Sequence, residues 1–213
     1  INSLSRPGSL AHNNTVLEHC RAGARQHGRT YALMYDLSGL PAGSADRLIE
    51  DWKKVLRDTR LTSDPAYLKH RGKPLLALWG CGFKDDKTRP SLEDWRKIIA
   101  FLKTDPAAGG VSIMIGVPSF WREQRRDALA DPLLHELLQQ VDVISPWTPG
   151  RYRSPVEAAR HANDVWQPDL AWCRARGIDY LPVAFPGFSW HNMNPDAPLD
   201  AIPRRQGRFF WSQ

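Results

Sequence analysis

The stretch Tyr180-Leu-Pro-Val-Ala-Phe185-Pro-Gly-Phe-Ser-Trp190-His191-Asn192 is a short apolar run that opens into a long, polar, proline-rich segment. Read as a buried strand over residues 180–185, it delivers a Trp, a His and an Asn to its far end. Similar deliveries occur upstream. Apolar runs at residues 30–35, 74–79, 111–117 and 141–145 close respectively on Asp36, on Trp79, on Pro118-Ser-Phe-Trp121-Arg122, and on Pro146-Trp147-Thr-Pro-Gly150-Arg151-Tyr152. These strands start near residues 30, 74, 111, 141 and 179, at intervals of 44, 37, 30 and 38 residues.

Each interval carries a helical pattern. Residues 1–14 read as a loop, and Thr15-Val-Leu-Glu18 is a capping box opening a helix that ends at Gly28. Ser44 is placed to cap a helix whose apolar stripe is Leu48, Ile49, Trp52, Val55 and Leu56. Ser91 and Asp94 offer the next cap, ahead of Trp95, Ile98, Ile99 and Leu102. Residues 123–140 read as helical, and Ser154-Pro155-Val-Glu157 starts a helix that Pro168 interrupts and that resumes to about Gly177. Residues 186–208 form a long loop, and a further helix begins at Phe209.

Strand–helix alternation at this spacing argues parallel βαβ units. The fold class expected is α/β: an incomplete (β/α)8 TIM-like barrel with about five βα units present, an open doubly wound sheet being the alternative. Gly80-Cys-Gly82 does not extend to GxGxxG, so a dinucleotide site is not supported. Asp142, in the fourth strand, is expected at a barrel lumen or sheet edge. A chain of 213 residues suits one domain. It begins at Ile1 and stops within an apolar stretch, Phe209-Phe-Trp-Ser-Gln213, so it is expected to be a piece of a longer protein truncated at both ends.

Composition narrows the partners. The net charge of +6 comes from 29 basic against 23 acidic residues, interleaved as in Arg47, Glu50, Asp51, Lys53 and Lys54, which describes solvated helix faces. No basic stripe or binding motif accompanies the charge, so no nucleic-acid partner is expected. No apolar run approaches the ~20 residues of a membrane span. Cys20, Cys81 and Cys173 are far apart and show no metal-ligand spacing. They read as isolated thiols, and no metal or cofactor is expected.

In a barrel of this kind the site is built at the C-terminal ends of the strands. Trp79, Trp121, Trp147 and Trp190 fall there, whereas Trp52, Trp95, Trp166, Trp172 and Trp211 fall in helices as packing residues. A sugar ring has an apolar C–H face and a hydroxyl edge. A flat indole covers the face, and nearby amides, His and Arg bond the edge. The candidate substrate-binding set is therefore Trp79, Trp121, Trp147 and Trp190 with Asp36, Arg122, Arg151, Tyr152, His191 and Asn192, and the expected partner is an oligosaccharide or polysaccharide. Glycoside hydrolysis needs two carboxylates across the scissile bond. Asp36 alone sits at a strand end, and it also suits a turn role; Asp85 and Asp86 lie in a loop, and Glu123 suits a helix start. No GxSxG elbow supports serine chemistry.

Five segments together resemble glycoside hydrolase family 99, in order and over nearly the whole chain: Tyr31-Ala-Leu-Met-Tyr-Asp36-Leu-Ser-Gly39, Gly72-Lys-Pro-Leu-Leu-Ala-Leu-Trp79-Gly80, Gly116-Val-Pro-Ser-Phe-Trp121-Arg122, Ser145-Pro-Trp147-Thr-Pro-Gly150-Arg151-Tyr152 and Phe185-Pro-Gly-Phe-Ser-Trp190. That family comprises endo-α-mannosidases, endo-α-mannanases and bacterial proteins labelled xylosidase/arabinosidase. The resemblance implies a (β/α)8 barrel and retaining hydrolysis of an internal α-mannosidic bond. It further implies a Glu pair in an Asp-Glu-x-Asp-Glu type segment. One Glu assists the sugar 2-hydroxyl in attacking the anomeric carbon through an anhydro-sugar intermediate; the other is general acid and base. Residues 1–213 hold no such pair, which the resemblance places after Gln213, so the chain alone is expected to be inactive. A non-catalytic glycan-binding protein on the same scaffold and a hydrolase of other glycan specificity remain as alternatives.

Overall fold

The computed structural model describes residues 2–4, 9–85 and 88–213. The elements run β1 (Asn2–Ser3), α1 (Ser9–Gln26), β2 (Leu33–Asp36), α2 (Ala45–Thr59), β3 (Lys69–His70), β4 (Lys73–Trp79), α3 (Leu92–Thr104), β5 (Ser112–Val117), α4 (Pro132–Leu138), β6 (Val143–Pro146), α5 (Pro155–His161), a π-helical turn (Ala162–Trp166), α6 (Gln167–Arg174), β7 (Asp179–Tyr180) and α7 (Arg208–Trp211). The main strands are parallel in the order β1-β2-β4-β5-β6-β7, with β3 antiparallel to β4. Each new strand is laid beside the last and the order never reverses. A doubly wound sheet would reverse at a switch point. The sheet is thus an arc of a (β/α) barrel, and the doubly wound alternative falls.

Register explains how this arc separates core from site. The rows Leu33–Leu76–Ile113 and Tyr35–Leu78–Ile115–Ile144 belong to the buried core, packed with the stripes of α2 and α3. Leu48, Ile49, Trp52 and Val55 of α2 are buried, as are Trp95, Ile98, Ile99 and Leu102 of α3. Fully burying such an aliphatic side chain contributes roughly 1.5–3 kcal/mol. The alternate row, Asp36–Trp79–Gly116–Ser145, crosses the C-terminal ends of the strands. Because side chains alternate along a strand, this row points away from the helices.

Several expectations are corrected. Residues 1–14 are not one loop: Asn2–Ser3 pair with β2, and α1 already runs from Ser9. Ser44 makes no side-chain cap; Asp94 of α3 accepts from the amides of Gly43 (2.9 Å) and Ala45 (3.3 Å) instead, while also closing the capping box with Ser91. Residues 123–140 are helical only at Pro132–Leu138, because Gln124 and Arg126 take left-handed φ values of 53° and 55°. Asp127 holds that bend by accepting from the amides of Ser119 and Phe120. Pro168 does not break its helix: a π-turn just before it carries the backbone through. The fifth strand is only Asp179–Tyr180, since Pro182 has no N–H to extend the ladder that Leu181 continues to Ile144. Asp142 precedes β6, with Oδ2 accepting from the Ile113 amide and its carbonyl from the Asp179 amide, so it lies between two neighbouring strands and not at a sheet edge.

The N-terminal ends of the strands are closed by polar clasps. Asp64, buried, accepts from Arg21, Arg25, Tyr31 and the Ala66 amide. His70 joins Ser112 Oγ (2.7 Å) to Asp179 Oδ2 (2.6 Å). Ser112 is 1% exposed, so this Ser–His–Asp chain ties β5 to β7 and offers no nucleophile. Contacts at this end of a barrel, opposite the loops that build a site, serve stability.

Candidate functional site

A cleft of about 660 Å3 opens at the C-terminal ends of the strands. Its floor is Met34 and Met114, and its back wall is the row Asp36, Trp79, Gly116 and Ser145. Trp79 is seated on Gly116: a Cβ there would lie 1.9 Å from the indole Cε3, so only glycine leaves room for the ring. The indole meets Trp147 edge-on, with centroids 5.4 Å apart at 65°, and Phe83 at 5.8 Å. Trp147 is 41% exposed and presents the outer aromatic surface. Its loop is pinned through its carbonyl, which accepts from Ser119 Oγ.

Polar groups frame this aromatic wall. On one side Arg89 stacks over Phe83 at 4.5 Å, donates to Ser38 Oγ at 2.8 Å and pairs with Asp85. On the other side Arg151 donates to Ser119 Oγ at 2.7 Å and pairs with Asp127. Asp36 Oδ1 accepts from the Ser38 amide at 3.0 Å, the turn role foreseen for it, while the residue lines the cleft. Indole faces bordered by guanidinium and carboxylate groups are what a polyhydroxylated ring requires. Among the described residues, no group of three or more His, Cys, Asp or Glu side chains is gathered to hold a metal ion.

The residues singled out from sequence therefore divide. Asp36, Trp79, Trp147 and Arg151 meet in the cleft. Trp121 does not: it is fully buried, its indole N–H donates to Asp169 at 3.1 Å, and it packs edge-on against Trp172. Arg122 joins it there, paired with Asp169 and Glu123 at 2.8 Å each. Burial pushes the Asp169 carboxyl up to about 6 despite Arg122. Tyr152 is buried in a second apolar cluster with Phe185 and Phe209, its hydroxyl donating to Gln213. Trp190 is half-exposed beside Phe188, and His191 Nδ1 bonds the Ala197 carbonyl at 2.9 Å. Asn192 borders a separate groove with Phe188 and Ile202. Asp86 lies outside the described residues. Phe83, Arg89 and Asp127 were missed: they sit on loops, and only the fold brings them to the strand ends. Gly116 carried a readable signal, a lone glycine inside an apolar strand, which marks a close approach.

Fold and site together define an arc of a (β/α) barrel with an aromatic cleft at its strand ends. Among solved structures, the chain is similar to the GH99 endo-alpha-mannosidase of Bacteroides thetaiotaomicron in complex with bis-tris propane, with a TM-score of 0.63 and 13% identity over 93% of this chain and 55% of that one. A second structure of the GH99 endo-alpha-mannosidase from the same organism gives 0.64 and 12% identity over 91% of this chain and 51% of that one. The chain has a fold like that of these GH99 structures, and it spans about half their length. No family model matches the sequence, and no curated protein matches it. No helix among the described residues is long and apolar enough to cross a membrane.

Proposed function

We propose that the cleft binds an α-mannoside-containing glycan and that the chain forms the sugar-binding wall of an endo-acting, retaining glycoside hydrolase. The observation that carries this reading is the Trp79–Trp147 pair, set at the strand ends over the seat provided by Gly116. Trp147 stacks on the C–H face of one ring; Arg151, Arg89 and Asp36 take hydroxyls. Trp190, His191 and Asn192 extend binding along the rim, away from the reacting sugar. The acid/base Glu pair of this reading is the one that the family resemblance assigns to sequence following Gln213, and residues 1–213 alone bind without cleaving.

A second reading, a glycan-binding protein that does not hydrolyse, is favoured by the state of the cleft carboxylates. Asp85 and Asp127 are engaged by Arg89 and Arg151, and Asp36 by the Ser38 amide. Incubating the full-length protein with α-mannans and mannooligosaccharides separates the two. Release of oligosaccharides with retained anomeric configuration supports the hydrolase; binding without release supports the second reading. Absence of both binding and release refutes both.

A further inference from the structure

Beside the cleft lies a second groove, of about 310 Å3, whose lining includes Arg125, Arg126, Arg151 and Arg160, against the carboxylates of Glu157 and Asp164. Arg151 lines both spaces, so the groove adjoins the cleft. The arginines are held there by the fold. The bend at residues 124–126 takes two left-handed non-glycine residues, Gln124 and Arg126, a conformation that persists only where its surroundings hold it. Asp127 maintains it through the amides of Ser119 and Phe120. The bend sets the guanidinium groups of Arg125 and Arg126 at 5.2 and 4.4 Å from the centroid of one ring, Phe120. Two guanidinium groups thereby share a single buried aromatic ring. Arg160 faces the same groove from α5.

Formally the four arginines face four carboxylates, Glu157 and Asp164 in the lining and Glu123 and Asp127 as pairing partners, so the groove is distinguished by which guanidinium groups are unpaired and not by an excess of charge. Arg151 pairs with Asp127, and Arg125 lies 3.6 Å from Glu123. Arg126 and Arg160 are exposed and form no ion pair among the described residues. His161, on the same wall, is pushed below its ordinary value by burial and then by Arg151, against Asp164 and Glu123, which raise it. Guanidinium forks match tetrahedral oxyanions bidentately, which is the usual reason for gathering arginines instead of lysines. The groove is about ten times the ~30 Å3 share of a water, room for a sugar bearing the group and not only for an ion.

We propose that this groove is a subsite for an anionic ester, phosphate or sulfate, carried by the glycan whose neutral part occupies the cleft. The proposal rests on the glycan reading of the cleft. The substrate class is then a glycan with a phosphoryl or sulfuryl monoester close to the bound sugars.

Calorimetric titration of the full chain at low salt tests it, because exposed charge pairs are screened at higher ionic strength. The probes are a neutral α-mannooligosaccharide, the same oligosaccharide as phosphate and as sulfate monoester, inorganic phosphate, and a single-stranded DNA oligonucleotide. At least one ester is expected to bind tenfold or more tighter than the neutral sugar. Replacing Arg126→Ala with Arg160→Ala is expected to abolish that preference and leave neutral binding unchanged. The paired Lys replacements keep the charge but lose the fork, and are expected to retain only part of it. Equal affinity for neutral and esterified sugars, or a preference that survives the Ala pair, overturns the proposal. So does inorganic phosphate binding as tightly as the ester, or DNA binding more tightly. Tight ester binding without measurable neutral binding upholds the groove and refutes the assignment of the cleft to neutral sugars.

Discussion

Gly116→Ala is the substitution through which the site can be disturbed with least chemistry. An alanine Cβ at this position lies 1.9 Å from Trp79 Cε3 and 2.5 and 2.7 Å from two further indole atoms. Contacts below about 3 Å do not persist, so the indole must leave its seat or β5 must shift. Rotation of the ring breaks its contacts with Trp147 and Phe83, at 5.4 and 5.8 Å. Overpacking of this sort costs about 1–3 kcal/mol, and each aromatic contact adds ~0.5–1.5 kcal/mol. A loss of roughly 2–6 kcal/mol, at about 2–4 °C per kcal/mol for a chain of this size, lowers Tm by about 4–24 °C. Thermal unfolding followed by circular dichroism measures that loss, and the near-ultraviolet spectrum reports the Trp79–Trp147 pair directly. A variant with unchanged Tm and an unchanged aromatic spectrum would refute the seating of Trp79 on Gly116, and with it the geometry of the back wall.

Three further outcomes follow from buried carboxylates that tie the elements together. Asp94→Ala removes the acceptor for Gly43, Ala45 and Ser91 at once, and is expected to lower stability by about 2–3 kcal/mol in urea unfolding, more than Ser44→Ala, whose side chain caps nothing. Burial alone would raise the Asp64 carboxyl, but the Ala66 amide, Arg25, Tyr31 and Arg21 hold it well below the usual range, so its stabilisation is present above the ordinary carboxylate value and is lost as pH falls below it. Asp64→Ala is expected to cost about 3 kcal/mol at neutral pH, with a deficit that shrinks in acid when Tm is followed against pH. Asp169 has the opposite sign: its carboxyl, pushed up by burial from 3.8 to about 6, binds protons more tightly folded than unfolded, so its contribution to stability falls as pH rises through that window. The Tm difference between wild type and Asp169→Asn is expected to decrease between those two pH values, and a constant difference would contradict the assignment.

The barrel arc was legible because strand–helix alternation and apolar stripes are local properties. The stripes of α2 and α3 and the capping box at Ser91 stand as read, and so does the row of strand ends carrying Asp36 and Trp79. The direction of a side chain was not legible. Trp121 follows β5 as Trp147 follows β6, yet Trp121 turns inward because Asp169, 48 residues further on, accepts its indole N–H. Boundaries failed where one distant group overrides propensity. Asp127 bends residues 123–128 out of helix, Pro182 stops β7, and Asp94 caps a helix that begins 49 residues earlier. The opposite margins of the cleft, Arg89 and Asp127, belong to loops whose composition gives no period to read.

The central claim, that Trp79 and Trp147 are the platform for a sugar, is tested most directly by titrating an α-mannooligosaccharide into the 15N-labelled protein and following the indole N–H resonances. The resonances of Trp79 and Trp147 are expected to shift in a saturable way, while those of Trp121 and Trp52, whose N–H groups are held by Asp169 and the Ala108 carbonyl, stay in place. No saturable shift, or shifts confined to tryptophans outside the cleft, would contradict it.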